Sequence, residues 1–153
     1  VFIARLWRVP AHRIAGILSP WPLFGLICAR IGNFWNSEMT GTPSSFPFAI
    51  GFYFSGDHGA VPRHPVQLYE AVLTLLLLCI MLVVFLKKRA THRPYLLPAL
   101  AVTGYSAIRF LSDFVKDDPG HLFGPWLSTG QWLSLIFGIG GILLLKAGGT
   151  PRD

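Results

Sequence analysis

Long apolar segments alternate with short polar ones along this chain, and their lengths match a lipid bilayer. In the clearest one, residues 71–86, Thr74 is the only polar residue, and Lys87 follows directly. As an α-helix, these 16 residues would cover about 24 Å of the roughly 30 Å hydrocarbon layer, and the apolar pattern extends a few residues upstream. The pattern predicts a transmembrane helix over residues 68–86.

Three further apolar segments predict three more spans. They cover residues 14–34, 95–115 and 131–145. Pro20 and Pro22 interrupt the first of these, and a broken helix at membrane depth needs protein or water around it, so we expect this span to line a cavity. The sequence therefore predicts an all-α fold. It is a polytopic integral membrane helix bundle with about four transmembrane helices, forming a single domain over residues 1–153.

Composition excludes most other classes of protein. Of the 153 residues, 52% are hydrophobic and 13% are charged, whereas a soluble domain carries about 25% charged residues. A disordered chain is excluded because it would be poor in apolar and aromatic residues. The net charge of +6 does not indicate nucleic acid, because the basic residues form no single patch. Both cysteines lie in apolar segments, so we predict no disulfide framework and no metal site.

The basic residues orient the predicted bundle. Nine of the thirteen Lys and Arg residues precede the first span, join the second to the third, or follow the fourth. Because basic residues favour the cytoplasmic side, both termini are predicted to be cytoplasmic, and loops 36–66 and 116–129 external. Six of the seven acidic residues lie on the external side or at its membrane edge. We therefore expect the chemistry of this protein at the external face.

The first span ends in an unusually polar sequence that runs from Arg30 to Gly41. Asn33 and Asn36 are three residues apart, so they share a helical face, and Glu38 follows them. Burying such groups without a partner costs about several kcal/mol, which makes them candidates for function in a membrane segment. The alternative is an interfacial anchor, in which Arg30 snorkels to the headgroups and Asn36 caps the helix.

A second polar cluster, residues 63–70, opens the second span. Pro65 suits the first helical turn, and Gln67 would reach back as in a capping box. The free N–H groups of this helix end, together with His64, would form an anion site. A capped interfacial helix explains Pro65 and Gln67 but not Glu70, which lies one turn into an apolar span.

A third cluster lies on one face of the third span. Its members, spaced 4, 4 and 3 residues apart, are Tyr105, Arg109, Asp113 and Lys116. In one interpretation, Arg109 and Asp113 form a self-compensating pair that fixes helix packing. In the other, Asp113 holds the Arg109 guanidinium at the membrane edge, where it grips a phosphate. Ser128 would cap the fourth span. Two arginines and a helix N-terminus around an external cavity suit a phospholipid headgroup.

Four segments resemble the bacterial prolipoprotein diacylglyceryl transferase family. In the family's order, they are Arg30–Gly41, Arg63–Glu70, Gly104–Asp113 and Ser128–Gln131. This family transfers diacylglyceryl from phosphatidylglycerol to the lipobox cysteine of preprolipoproteins and releases glycerol phosphate. The resemblance implies that activity here, in a bacterial inner membrane. It also implies phosphatidylglycerol and the signal peptides of preprolipoproteins as partners, and no cofactor.

The resemblance also assigns roles residue by residue. It implies catalytic roles for His64, Glu70, Tyr105 and Arg109. It implies phosphatidylglycerol binding by Arg30, Asn33, Asn36, Glu38, Gly41, Arg109 and Asp113.

The chain departs from the family's usual pattern in two residues and in extent. Asp113 stands where Glu is usual and Lys116 where Arg is usual, and lysine offers a point charge instead of a planar fork. None of the five histidines precedes a Gly-Gly pair, unlike a histidine in the family's N-terminal half. We therefore expect this chain to correspond to the C-terminal half. Two alternatives remain: a non-catalytic, lipid-binding relative of the family, and a small transporter or channel component gated by Arg109 and Asp113.

Overall fold

A computed structural model describes residues 11–54, 56, 58–87, 93, 95–117, 120 and 125–147. Its helices are α1 (Ala11–Leu18), α2 (Pro20–Trp35), α3 (Val66–Leu86), α4 (Leu96–Ser112) and α5 (Thr129–Ala147). A 3-10 turn, Asp113–Val115, directly follows α4, and the short strands β1 (Ile50–Gly51) and β2 (Pro62–Arg63) pair antiparallel in the loop before α3. The all-α helix bundle predicted from the sequence is confirmed.

The first predicted span forms as two helices that meet at Ser19. The Ser19 amide donates to the Ala15 carbonyl and its hydroxyl to the Gly16 carbonyl, both at 2.9 Å. Pro20 then begins α2. Proline is tolerated at the first position of a helix because the N–H it lacks would have no hydrogen-bond partner within that helix. The break predicted from the prolines is therefore a junction between helices and not a gap in the interior of α2.

Three helical segments of the described chain are long and apolar enough to cross a membrane. They are Arg13–Trp35, Val66–Leu86 and Thr129–Lys146. The 21 residues of α3 rise about 32 Å, which matches the hydrocarbon layer. With 17 residues, α4 is shorter, and Arg109 lies in its last turn. A fourth crossing along α4 stays a prediction.

Helix α4 packs against both α3 and α5, and α2 packs against α3. The apolar core lies where α2, α3 and α4 meet, and consists of Leu23, Leu77, Met81, Leu97 and Ala101. A Cβ added at Gly141 of α5 would lie 3.3 Å from the Ala99 carbonyl oxygen of α4, so glycine permits the close approach of the two helices. The opposite faces of α3 and α5 expose leucine, isoleucine and phenylalanine, as expected for surfaces that face lipid.

Candidate functional site

A buried carboxylate, Glu70, joins two helices through two arginines. It lies on the inner face of α3 with 1% of its surface exposed. Its Oε2 forms an ion pair with Arg30 Nε of α2. Its Oε1 accepts hydrogen bonds from Arg109 Nη1 at 3.1 Å and from Ser112 Oγ at 2.6 Å, both on α4. The two oxygens of one carboxylate therefore hold two guanidinium groups side by side.

Asp113 and Lys116 extend this arrangement at the end of α4. Asp113 Oδ1 lies 3.2 Å from Arg109 Nη1 and 3.5 Å from Lys116 Nζ, and Lys116 Nζ lies 3.8 Å from Glu70 Oε1. The Arg109–Asp113 pair predicted from the i, i+4 spacing is confirmed. Asp113 Oδ2 accepts a hydrogen bond of 2.6 Å from Ser128 Oγ, which links this end of α4 to the start of α5.

The five charged residues form one ionic cluster that carries an excess of positive charge. Its members are Arg30, Glu70, Arg109, Asp113 and Lys116. Three cations and two anions give the cluster a net charge of +1, although each cation contacts a carboxylate. Burial lowers the pKa of the Lys116 ammonium and the Arg109 charge adds to this effect, while Glu70 and Asp113 raise it. A buried charge in excess is unfavourable until a counter-charge arrives, so the cluster is suited to receive an anion.

An apolar cavity of about 650 Å³ lies beside the ionic cluster, a size typical of ligand pockets. Residues of α2, α4 and α5 line it, and the lining along α4 extends from Pro98 near the start of the helix to Arg109 near its end. Of the two cluster arginines, both among the described residues, only Arg109 lines this cavity. Pro22 and Leu23 belong to the wall, so the prediction that the interrupted first span lines a cavity is confirmed.

Arg30 faces the segment that follows α2. Its Nη1 donates to the Met39 sulfur at 3.0 Å, and its Nη2 lies 3.5 Å from Tyr105 Oη. Asn33 Nδ2 contacts the same sulfur at 3.4 Å. Only 9% of Arg30 is exposed. The interpretation of Arg30 as a snorkelling anchor is therefore wrong, because Glu70 supplies a partner inside the protein.

The other residues of the first polar sequence lie around this segment. Asn36 is the C-cap residue of α2, and its backbone N–H donates to the Gly32 carbonyl at 3.0 Å. The capping interpretation of Asn36 is therefore confirmed. Glu38 has an exposed side chain, and its carbonyl accepts a hydrogen bond of 2.5 Å from Gln67 Nε2. The capping-box interpretation of Gln67 is wrong, because the amide ties the loop to α3 instead and α3 has no side-chain cap.

Gly41 is buried against the segment that leads into α3. Its amide donates to the His64 carbonyl at 2.9 Å, and a Cβ at this position would lie 2.6 Å from that carbonyl oxygen and 2.7 Å from the Val115 oxygen. The close approach of two backbones thus gives a packing reason for glycine here. A role for Gly41 in lipid binding stays a prediction.

His64 lies apart from the ionic cluster. Its Nδ1 is 3.2 Å from Tyr69 Oη, and its ring packs against that of Phe46 with centroids 5.9 Å apart. No hydrogen bond or ion pair joins it to the cluster, all of whose residues lie in the described part of the chain. Arg63 beside it pairs with Asp117 at 2.5 Å. The catalytic role and the anion site predicted at this helix end stay predictions.

Two residues of the site escaped the sequence reasoning. Ser112 donates to Glu70, and its position three residues after Arg109 was the available signal. Met39 contacts both Arg30 and Asn33, but a methionine near the end of an apolar span carries no signal of its own.

The helices and the ionic cluster define an integral membrane protein with a buried charged site beside an apolar cavity. A family model described as prolipoprotein diacylglyceryl transferase matches residues 1–147, and the chain belongs to this family. The resemblance seen in the sequence is thereby confirmed.

Curated relatives named phosphatidylglycerol–prolipoprotein diacylglyceryl transferase are similar to most of this chain. The relative from Methylococcus capsulatus is 41% identical over 143 residues, that from Aliivibrio salmonicida 41% over 135, and that from Bordetella avium 38% over 146. These matches cover 92%, 86% and 94% of this chain, but 53%, 46% and 54% of the respective relatives. The chain thus spans about half the length of the curated relatives it matches.

Proposed function

We propose that this chain binds phosphatidylglycerol and takes part in moving its diacylglyceryl group to the lipobox cysteine of prolipoproteins. The observation that carries the proposal is the excess positive charge of the ionic cluster beside an apolar cavity. A phospholipid needs both features, because its phosphate is anionic and its acyl chains are apolar. The site would face the external side of a bacterial inner membrane.

Arg109 is the group we assign to the lipid phosphate. Arg109 lines the cavity, and Glu70 and Asp113 contact its Nη1, so they orient the guanidinium. A planar guanidinium binds two phosphate oxygens at once. As the ester bond breaks, negative charge grows on the departing glycerol phosphate, and fixed cations stabilise that charge without rearranging.

The residues predicted from the resemblance retain distinct expected roles. Tyr105 also lines the cavity and its hydroxyl lies 3.5 Å from Arg30 Nη2, so it would position the headgroup beside Arg109. Glu70 would hold both guanidinium groups and not touch the lipid. Asn36 and Glu38 lie at the surface, where they would meet a headgroup or a peptide only at the mouth of the site.

Binding of phosphatidylglycerol to the purified chain in sugar-detergent micelles tests the proposal. We expect Arg109→Ala to weaken binding about 10-fold to 100-fold, because a hydrogen bond to a charged group contributes about 1.5–3 kcal/mol. Arg109→Lys should fall between, since it keeps the charge and loses the fork. Arg13→Ala, an exposed arginine on α1, is the matched control. Unchanged binding by Arg109→Ala would leave Arg109 as a packing partner of Asp113 alone.

A non-catalytic lipid-binding relative would give the same binding result, so transfer is measured separately. The chain is incubated with phosphatidylglycerol and a cysteine-containing lipobox peptide, and the adduct is sought by mass spectrometry. An adduct that Arg109→Ala reduces on the order of 10²–10³-fold supports the transferase. Lipid binding without any adduct would show that these 153 residues bind the lipid but do not suffice for transfer on their own.

A further inference from the structure

A sulfur atom already occupies the donors on the loop side of the ionic cluster. Met39 Sδ accepts from Arg30 Nη1 at 3.0 Å and contacts Asn33 Nδ2 at 3.4 Å. Guanidinium and amide N–H groups ordinarily find oxygen acceptors, and a thioether is a weak acceptor for them. Arg30 and Asn33 therefore form a site that holds a sulfur atom, and their N–H groups are strong donors paired here with a weak acceptor.

We infer that Arg30 and Asn33 bind the cysteine thiolate that accepts the lipid, and that the Met39 sulfur holds this position until the thiolate arrives. The inference rests on the proposed function, because it names where that reaction's second substrate binds. A thiolate carries a full negative charge, so it forms an ion pair with the Arg30 guanidinium, which the neutral thioether does not form. The arriving thiolate therefore displaces the thioether.

The two arginines face different parts of the molecule, as two substrates require. Arg109 lines the apolar cavity, whereas Arg30 contacts the segment that carries Met39. Glu70 holds one guanidinium on each carboxylate oxygen, so the two sites are immediate neighbours. A nucleophile beside Arg30 is then next to a phosphate ester beside Arg109.

Met39 is placed so that it can leave. Met39 is 53% exposed, although its sulfur contacts the buried Arg30. Ser37 and Met39 both have a φ of 56°, in the left-handed region that non-glycine residues rarely adopt. Such backbone strain costs about 1–3 kcal/mol per residue and clusters at functional sites.

The chemical step balances without a further reagent. The thiol releases its proton to water at the exposed mouth, and the cationic neighbours favour this by lowering the pKa of the thiol. A sulfur lone pair then forms a bond to the glycerol carbon that bears the phosphate ester. The bond from that carbon to the ester oxygen breaks, and its electron pair leaves with the glycerol phosphate.

The test measures peptide binding to the chain in sugar-detergent micelles that contain no phosphatidylglycerol. The probes are two lipobox peptides that differ only in cysteine or serine at the acceptor position. With the original chain, we expect the affinity for the cysteine peptide to rise about 10-fold from pH 7 to pH 9.5 as the thiol ionises, and the affinity for the serine peptide to stay level.

Met39→Leu removes the sulfur and keeps a side chain of similar volume. Because a typical hydrogen bond contributes about 0.5–1.5 kcal/mol, we expect the cysteine-to-serine affinity ratio to rise about threefold to tenfold. Phe48→Leu, at an exposed position of the same loop, is the control and should leave the ratio unchanged. An ultraviolet thiolate signal from the bound cysteine peptide at pH 7, lost in Arg30→Gln, would support the assignment directly.

Two results would overturn the inference. One is an equal affinity for both peptides at both pH values, or a ratio that Met39→Leu does not change. The other is a Met39→Leu variant that binds phosphatidylglycerol several-fold more tightly while the peptide ratio stays constant, because the sulfur would then occupy the lipid phosphate position. Since the peptide assay contains no lipid, its failure is separate from failure of the lipid-binding test on Arg109.

Discussion

Glu70 allows two guanidinium groups to lie next to each other at the edge of a membrane protein's core. Without it, Arg30 and Arg109 would repel each other in surroundings of low polarity. Removing one partner of a buried ion pair leaves an uncompensated charge and costs about 3–5 kcal/mol. The two carboxylates of the cluster hold its three cations together. Because the cations outnumber the carboxylates by one, the cluster keeps a net positive charge that attracts an anionic ligand.

Substitution of Gly41 tests whether glycine is needed at this position for packing or for binding. In Gly41→Ala, the new methyl group would lie 2.6 Å from the His64 carbonyl oxygen, so one of the two backbones must shift to accommodate it. We expect a loss of about 1–3 kcal/mol in the free energy of unfolding, measured by denaturant titration in mixed micelles. Gly32→Ala in α2, with open space around its Cβ, should gain up to about 1 kcal/mol.

The two possible roles of Gly41 give opposite results in this comparison. Gly41→Ala with normal stability and weakened phosphatidylglycerol binding would contradict the packing explanation. It would instead show that the backbone at this position approaches the lipid.

Lys116 predicts a pH dependence of stability whose sign follows from its surroundings. Burial and the charge of Arg109 lower the pKa of this ammonium group from its ordinary value of 10.5. Between the lowered pKa and 10.5, the unfolded chain binds more protons at this position than the folded chain does. The free energy of unfolding therefore rises with pH across that interval and levels off above it.

Lys116→Met isolates this contribution because methionine does not titrate. The stability of the original chain relative to Lys116→Met should increase as the pH is raised through the interval, measured by denaturant titration at a series of pH values. A constant or decreasing difference would contradict it, and would mean that Glu70 and Asp113, which raise the pKa, outweigh burial.

Among the helical elements, the start of α5 ties its own cap to the ionic cluster. The backbone N–H of Gln131 donates to Ser128 Oγ, and the backbone N–H of Ser128 donates to Gln131 Oε1, both at 2.9 Å. This reciprocal pair is a capping box. The same Ser128 hydroxyl donates to Asp113 at 2.6 Å. One side chain thus satisfies a helix terminus and a buried carboxylate, and fixes α5 against the end of α4.

Ser128→Ala removes both functions at once. We expect a loss of about 2–4 kcal/mol in the free energy of unfolding, because a lost N-cap and a buried acceptor without its donor each contribute. Ser134→Ala, one turn into the same helix, removes only a hydrogen bond to the Gly130 carbonyl and should cost less than about 1 kcal/mol. Equal losses in the two variants would show that the N-cap and the bond to Asp113 stabilise the fold no more than the single hydrogen bond of Ser134 does.

Helix positions followed from the sequence because long apolar segments leave the backbone no other way to satisfy its hydrogen bonds in lipid. The Arg109–Asp113 pair followed for a similar reason, since both residues lie on one helix and their spacing fixes the contact. Contacts between helices did not follow. Glu70 reaches Arg30 and Arg109 only because α3 packs against both α2 and α4, and no spacing within one segment encodes that.

Two further misses have separate causes. The Gln67 side chain donates to the Glu38 carbonyl, 29 residues away along the chain, and no local sequence pattern indicates a contact over that distance. The two short strands before α3 are only two residues each, which is too short to give an alternating apolar pattern.

The molecule as a whole presents apolar side chains outward along its long helices and holds the ionic cluster near one end of the bundle. Exposed residues of α3 such as Leu76, Ile80 and Leu82 would be unfavourable in water and are suited to lipid. The exposed aromatic residues Phe48, Tyr53 and Trp126 lie in the loops that also hold the ionic cluster's neighbours. Aromatic residues concentrate at membrane interfaces, so this end is expected to lie at the headgroup level.

The last prediction concerns the orientation of that end. Basic residues flank the opposite ends of the helices, and they favour the cytoplasmic side, so the cluster end should face outward. Single cysteines at Ser45 and at Lys87, both exposed positions on opposite ends of the bundle, report this in a background with Cys28→Ala and Cys79→Ala. In intact cells, a membrane-impermeant maleimide should label Ser45→Cys, and should label Lys87→Cys only after permeabilisation. The reverse pattern would place the site on the cytoplasmic side, where no translocated lipobox peptide could reach it, and labelling of both positions in intact cells would contradict a helix α3 that crosses the membrane.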